Sequence, residues 1–147
     1  MTRLRGTWVE IDLDGIRHNV RLLKPEHSEL MAVVKANGYG HGAELVARAA
    51  LEAGATWIGV ALVEEGLALR EAGIQAPIFV LSEFPPGSER AALDASLAPS
   101  LYSDAGLQRL AEAIAGRRVG VHVKVDTGMH RVGLYPPEAL KIGRAHV

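Results

Sequence analysis

The sequence predicts an α/β fold made of successive parallel βα units. Apolar, β-branched runs with the length of buried strands start near residues 31, 57, 77, 97 and 119, about every 20 to 26 residues. Segments with helical periodicity lie between most of these runs. Alternation of strand and helix at this spacing is typical of a parallel sheet whose faces are covered by helices.

The composition indicates a globular domain with a small-molecule ligand. The chain has 147 residues, of which 48% are hydrophobic and 22% charged, with a formal net charge of -1. This charge gives no electrostatic reason to expect a nucleic acid or an anionic membrane as partner. The absence of cysteine excludes disulfides and thiolate nucleophiles, and six scattered histidines without ligand spacing predict no metal site. The start of the chain lacks the apolar core of a signal peptide, so we expect a cytoplasmic location.

The amino-terminal elements can be assigned from local patterns. Residues 7–13 alternate apolar and polar side chains and predict a half-exposed strand. Asp12 or Asp14 is then expected to cap a helix over residues 14–23, which Pro25 ends. Residues 30–34 form the first buried strand.

The rest of the chain continues the alternation of strand and helix. Further strands are predicted over residues 57–61, 77–81, 97–102 (a weaker pattern) and 119–125, and helices over 43–53, 64–72, 89–93 and 104–115. Five such units fit part of a (β/α)8 barrel or part of a doubly wound sheet equally well, and periodicity does not decide between the two.

Lys35 lies where the first buried strand meets its loop. Burying an isolated ammonium ion is costly, and a neutral lysine amine is a nucleophile that forms Schiff bases with carbonyl compounds, including pyridoxal phosphate. The alternative is a lysine whose stem follows the strand end and whose ammonium group reaches solvent. The strand pattern alone leaves both interpretations open.

A second group of ionisable residues ends the last predicted strand. Lys124, Asp126 and Arg131 lie in and after residues 119–125, at the end of a strand where parallel α/β proteins build their sites. The alternative is a structural ion pair of Lys124 with Asp126 and a solvated Arg131.

Two motifs and the opening of the chain resemble alanine racemases. Residues 35–42, K-A-N-G-Y-G-H-G, are similar to the pyridoxal-phosphate attachment motif of that family, V-K-A-N-A-Y-G-H-G, and depart from it at Gly38. Residues 124–133 are similar to the pattern K-x-D-T-G-M-x-R-x-G, with His130 where many members have glycine. The opening W-V-E-I-D-L-D-G-I-R-H-N-V also resembles the start of the family.

The resemblance implies the architecture. It favours a partial (β/α)8 TIM barrel containing the first five or so βα units, over residues 14–140. Residues 1–13 would then contain a strand that pairs with a carboxyl-terminal β domain absent from this chain. Apart from the resemblance, residues 142–147 match the translation of a common sequencing adapter, so we expect a non-native tail over residues 141–147. The alternative is an ordinary helix that continues from residues 136–140.

The resemblance also implies the chemistry. Members interconvert L-alanine and D-alanine for peptidoglycan synthesis with pyridoxal 5'-phosphate, which would form a Schiff base with Lys35. Lys35 would be the base for the D-alanine face, and a tyrosine from the partner subunit of a homodimer would serve the other face. That tyrosine lies beyond residue 147, so we expect this chain to be inactive in isolation.

Other site residues follow by position in the motifs. Arg131 matches the arginine that contacts the substrate carboxylate and the phenolic oxygen of the cofactor, and Lys124 matches a lysine that many members carbamylate. Tyr39 matches the tyrosine that bonds the cofactor phosphate, although it could instead pack at the loop edge. Leu81 matches a leucine of the cofactor pocket, although it could instead be a core residue.

Two alternative functions are compatible with the same resemblance. A racemase of this fold could accept a broader range of amino acids, such as serine or lysine. A non-catalytic pyridoxal-phosphate-binding homeostasis protein shares the fold group, but the residue 7–13 strand and the residue 124–133 loop argue against it.

Overall fold

The computed structural model describes residues 6–135 and 138–139. Strands and helices alternate along most of this interval. The helices are α1 (Leu13–Leu23), α2 (Lys35–Tyr39), α3 (Ala43–Glu52), α4 (Val63–Glu71), α5 (Glu89–Asp94) and α6 (Asp104–Ile114). The strands are β1 (Met31–Val33), β2 (Trp57–Val60), β3 (Ile78–Val80), β4 (Leu97–Ala98), β5 (Ser100–Leu101) and β6 (His122–Val123). No helix in the described ranges is long and apolar enough to cross a bilayer.

All strand pairs are parallel, and their spatial order follows the chain. β1, β2, β3 and β4 form one sheet in that order, and β5 pairs with β6. Pro99, which has no N–H group to donate, separates β4 from β5 and divides the predicted strand 97–102. A sequential order without reversal is that of a barrel wall, whereas a doubly wound sheet reverses its order at a switch point. The structure therefore decides for the partial barrel.

The hydrophobic core lies between the strands and the helices. Ile58, Val60, Ile78 and Val80 alternate along β2 and β3 and are fully buried against the helical layer. Because successive side chains of a strand point to opposite faces, the residues next to these four lie on the opposite, inner face of the sheet that forms the barrel wall. There His122 contacts the Trp57 ring at 5.7 Å and the Phe79 ring at 4.5 Å between centroids.

The strand predicted over residues 7–13 is not seen within the described part of the chain. Residues 7–12 belong to no strand pair among the described residues, and α1 already starts at Leu13, with the Asp12 carboxylate accepting from two backbone N–H groups as its cap. A strand needs a ladder partner to satisfy its backbone groups, and none of the described residues supplies one. Pairing with a carboxyl-terminal domain stays a prediction.

The last predicted strand is shorter than the pattern over residues 119–125 suggests. Only His122–Val123 pairs with β5, and Val125 then makes a single parallel bridge to Leu134. β6 has a full ladder on one side only, and Val121, Val123 and Val125 remain 39%, 37% and 38% exposed. The predicted tail, residues 141–147, lies outside the described residues.

Candidate active site

Lys35 leaves the wall at the carboxyl end of β1. The backbone N–H of Val34 donates to Gly59 at 2.8 Å, which closes the ladder between β1 and β2 one residue before the lysine. Lys35 is half-buried, and its amine has no hydrogen-bond or ion-pair partner in the described part of the chain. A primary amine at a strand end, without a carboxylate to hold it, is positioned for a ligand.

The chain after Lys35 forms a left-handed turn, which the sequence did not predict. Positive φ values occur at five consecutive residues, Ala36 (51°), Asn37 (54°), Gly38 (63°), Tyr39 (54°) and Gly40 (86°). For residues other than glycine this conformation costs roughly 1 to 2 kcal/mol each. Strain of this kind persists only where surrounding contacts enforce it, and it concentrates at functional sites.

Hydrogen bonds around the turn enforce its conformation. The Gly38 N–H donates to the Val34 carbonyl at 2.7 Å, and the Gly42 N–H donates to the Asn37 carbonyl at 2.8 Å. The Asn37 side-chain oxygen accepts from the N–H of Ala43 at 2.9 Å, at the first residue of α3. The turn behind Lys35 is therefore fixed to both the strand before it and the helix after it.

Tyr39 lies beside the lysine. The Lys35 Nζ atom is 5.8 Å from the centroid of the Tyr39 ring, within the range of a cation–π contact. The tyrosine is 60% exposed, so its hydroxyl group is open to a ligand.

Glu65 joins this turn to the next strand end, and sequence reasoning missed it. Its Oε1 atom accepts from the N–H of Ala36 at 2.6 Å, and its Oε2 atom accepts from Ala61 at 2.8 Å and Leu62 at 3.1 Å. A glutamate in the first turn of a helix signals capping of its own helix, which explains the contacts to Ala61 and Leu62. The contact to Ala36 spans 29 residues and has no local signal.

Lys124 lies on the inner face of the wall, beyond β6. Its backbone N–H donates to Leu101 at 2.8 Å, and its side-chain Nζ donates to the carbonyl of Leu81 at 3.1 Å. Leu81 is half-buried at the end of β3, where its own N–H donates to Val60 at 2.8 Å. Two residues assigned to the site by motif are thus in direct contact.

Asp126 organises the loop that carries Arg131. Its carboxylate accepts from the backbone N–H groups of Gly128 at 2.9 Å and His130 at 3.1 Å, and these bonds, the first above all, hold the pKa of Asp126 below its ordinary value. The His130 ring lies 3.3 Å from the second carboxylate oxygen, and His130 has a φ of 54°, a conformation that glycine adopts readily. Arg131 is exposed and has no hydrogen-bond or ion-pair partner among the residues described.

Five site residues were predicted by resemblance, and we call them the five motif residues: Lys35, Tyr39, Leu81, Lys124 and Arg131. The structure groups them into two contacting pairs and one separate residue. Lys35 contacts Tyr39, and Lys124 contacts Leu81. Within the described ranges, no hydrogen bond, ion pair or ring contact joins Arg131 to the other four. The functional groups present fit an aldehyde cofactor with an anionic phosphate: an exposed phenol, and an amine and a guanidinium that have no hydrogen-bond or ion-pair partner among the described residues.

A cavity of about 630 Å³ lies elsewhere on the wall. Its lining includes Trp57, Pro77, Leu97 and His122, which lie at the amino ends of strands. None of the five motif residues lines it. Because parallel barrels build their sites at the carboxyl ends of strands, the Lys35 end is the candidate active site in preference to this cavity.

Comparison with known proteins gives a consistent result. The sequence model of the alanine racemase N-terminal domain matches residues 11–146. The alanine racemase of Symbiobacterium thermophilum is 52% identical over 96% of this chain and 38% of its own length. Alanine racemase 1 of Bacillus subtilis is 44% identical over 93% of this chain and 36% of its own length.

Solved structures agree with the sequence relatives. The alanine racemase of Bacillus anthracis with bound L-Ala-P superposes with a TM-score of 0.86 at 38% identity, over 99% of this chain and 39% of that one. The alanine racemase of Clostridium difficile 630 in complex with cycloserine gives a TM-score of 0.88 at 32% identity, over 98% of this chain and 41% of that one. The chain thus spans about two fifths of the length of these relatives, and the sequential barrel wall is confirmed by their folds. The chain belongs to the alanine racemase family and corresponds to part of its N-terminal domain.

Proposed function

We propose that the protein containing this chain interconverts L-alanine and D-alanine with pyridoxal 5'-phosphate held covalently by Lys35. The observation that carries the proposal is the half-buried amine of Lys35, which has no hydrogen-bond or ion-pair partner among the described residues and lies on a left-handed turn at a strand end. Membership of the family supports the substrate, and the names of the relatives support the reaction. D-alanine made in the cytoplasm would supply peptidoglycan synthesis.

The bound cofactor would supply an electron sink that makes the Cα proton of alanine acidic. The Lys35 Nζ atom would first hold the cofactor. Once displaced by the amino group of the substrate, Nζ would be free to hold or return a proton on the D-alanine face. The rigid turn at Ala36 to Tyr39 would keep Nζ close to that face, because small displacements of a proton-transfer group are costly.

The remaining motif residues would bind and orient. The open hydroxyl of Tyr39 would donate to the phosphate, and Leu81 would line the pocket. The planar guanidinium of Arg131 would hold the substrate carboxylate and the phenolic oxygen of the cofactor. Reaction on the L-alanine face needs a second base, which we propose to be a tyrosine of the partner subunit in a homodimer.

We further propose that Lys124 is carbamylated in the active protein. As an ammonium group it donates to a backbone carbonyl at Leu81, and it would repel a neighbouring Arg131. A carbamate at the same atom carries a negative charge, which could instead orient Arg131. The carbamate would form when the neutral Lys124 amine adds to CO2 with loss of a proton. Carbon-13 NMR of native protein equilibrated with carbon-13-labelled bicarbonate should then show a carbamate resonance that the Lys124→Arg variant lacks.

Complementation of a D-alanine auxotroph tests the function. The full-length gene from the source locus should rescue growth, whereas its Lys35→Ala variant should not. Lys24→Ala, which removes an exposed lysine after α1, is the matched control and should rescue as the wild type does. Rescue by Lys35→Ala would refute the proposal.

Two other outcomes would identify the alternatives. Cofactor binding at Lys35 without rescue would favour a homeostasis protein. Comparable kcat/KM values for alanine, serine and lysine in the purified protein would favour a broad-specificity racemase.

A further inference from the structure

We propose that Glu65 is a positioning residue for Lys35, acting through the peptide bond that follows the lysine. This inference rests on the proposed function, since it concerns the direction in which the reactive amine points. Among the described residues, no hydrogen bond or ion pair joins Glu65 to the Lys35 side chain. It contacts the backbone on which that side chain is mounted.

The geometry of the contact fixes one peptide plane. The N–H group of Ala36 belongs to the peptide unit between Lys35 and Ala36, and it donates to Glu65 Oε1 at 2.6 Å. Because a peptide unit is planar, holding its N–H direction also fixes ψ of Lys35. The path of the backbone at Lys35, and with it the exit direction of the side chain, is then set by a residue of α4.

The other carboxylate oxygen anchors Glu65 to the neighbouring strand end. Oε2 accepts from the N–H groups of Ala61 and Leu62, directly after β2. One carboxylate therefore joins the carboxyl ends of β1 and β2. The turn at Ala36 is thereby fixed relative to the barrel wall as well as within itself.

Joining the two strand ends requires a carboxylate on a side chain as long as that of glutamate. The donors of Ala36, Ala61 and Leu62 occupy both oxygens of Glu65. A glutamine in the same place has one oxygen, so its NH2 group would face at least one N–H donor, which is repulsive. An aspartate is one methylene shorter and cannot reach both strand ends from the same helix position.

The turn is the part of the site that this loss would affect most. Ala36 is the first of five consecutive residues with positive φ, and left-handed Ala36 is strained unless its surroundings hold it. With the Glu65 bond lost, we expect the Lys35–Ala36 peptide to rotate. The amine would then sample several directions in place of one.

The test compares Glu65→Gln with Glu64→Gln in the full-length protein. Glu64 precedes Glu65 on α4, is exposed, and makes no hydrogen bond among the described residues, so it is a matched control. Two readouts are needed. One is amide hydrogen exchange at Ala36 in the cofactor-free protein, and the other is the rate at which pyridoxal phosphate becomes borohydride-trapped on Lys35.

The positioning role predicts a specific combination of results. In Glu65→Gln, the Ala36 amide should exchange at least about 10-fold faster and trapping on Lys35 should slow by about 10-fold, with kcat reduced and KM for alanine little changed. Glu64→Gln should match the wild type in all of these. Glu65→Asp, which keeps the charge, should fold and still trap more slowly than the wild type.

The outcomes separate this inference from the proposed function. Wild-type protein that is not labelled on Lys35 would overturn both. Wild-type labelling at Lys35 with unchanged rates in both Glu65 variants would overturn the role of Glu65 alone. A Glu65→Gln protein that fails to fold leaves the decision to Glu65→Asp, for which a wild-type trapping rate would also refute the role.

Discussion

Asn37 stabilises the turn behind Lys35 in two ways that substitutions can separate. Its side-chain oxygen accepts from the N–H of Ala43, where α3 begins without a side-chain cap of its own from Gly42. Its backbone has a φ of 54°, a left-handed conformation that asparagine tolerates better than most residues. Asp keeps both contributions. Gly loses the side-chain hydrogen bond but adopts the left-handed conformation readily, and Ala loses both.

The expected free energies of unfolding follow from these two contributions. Asp keeps the oxygen and tolerates the left-handed conformation, so Asn37→Asp should stay within about 0.5 kcal/mol of the wild type. Gly loses the hydrogen bond, about 1 kcal/mol, and adds about 0.5 kcal/mol of chain entropy in the unfolded state. Ala loses the same bond and adds about 1.5 kcal/mol of left-handed strain. The free energy of unfolding should therefore fall by about 1.5 kcal/mol in Asn37→Gly and by about 2.5 kcal/mol in Asn37→Ala.

Urea unfolding of the cofactor-free protein measures this order directly. The slopes of the unfolding transitions should agree among the variants, so that midpoint shifts report stability alone. Asn37→Ala should be the least stable of the three. An alanine variant as stable as the glycine variant would show that the left-handed turn does not form, and would refute the geometry assigned to the Lys35 loop.

Three further predictions concern the other motif and the isolated chain. A Cβ atom at position 133 would lie 2.7 Å from the backbone nitrogen of Asp126, at a φ of 127°, so Gly133→Ala should raise KM for alanine by displacing the loop that carries Arg131. Since the pKa of Asp126 is held low, its carboxylate should keep the bond to Gly128 at pH values below the ordinary pKa of an aspartate. The bond should be lost only as the pH falls through the lower pKa of the folded state. Amide exchange at Gly128 should show this acid transition, and Asp126→Asn should abolish it. The 147-residue chain by itself should show no racemisation in a coupled D-alanine assay, because within the described residues β6 pairs with β5 on one side only and the second base is proposed to belong to a partner subunit.

Local patterns predicted most helices to within about one residue. Helix 104–115 was observed as Asp104–Ile114 and helix 43–53 as Ala43–Glu52, since apolar periodicity and the residues at helix ends are encoded locally. The order of the strands was not predictable from periodicity. It depends on which edges pair in space, and the resemblance to a family had to decide it.

For the candidate site as well, the sequence predicted which residues take part but not how they contact one another. Motif positions pointed to Lys35, Tyr39 and Lys124 without showing their contacts. The left-handed turn could not be read from the sequence, because Ala36 carries no local preference for positive φ and adopts it through tertiary contacts. Glu65 could not be found either, since its partner at Ala36 is distant in the chain.

The covalent assignment of Lys35 can be tested most directly by chemical labelling. Full-length protein saturated with pyridoxal phosphate, reduced with borohydride and digested should carry the pyridoxyl group on the peptide that contains Lys35. The Lys35→Ala variant should carry none. A pyridoxyl group found on Lys124, or on any other lysine in place of Lys35, would contradict the account.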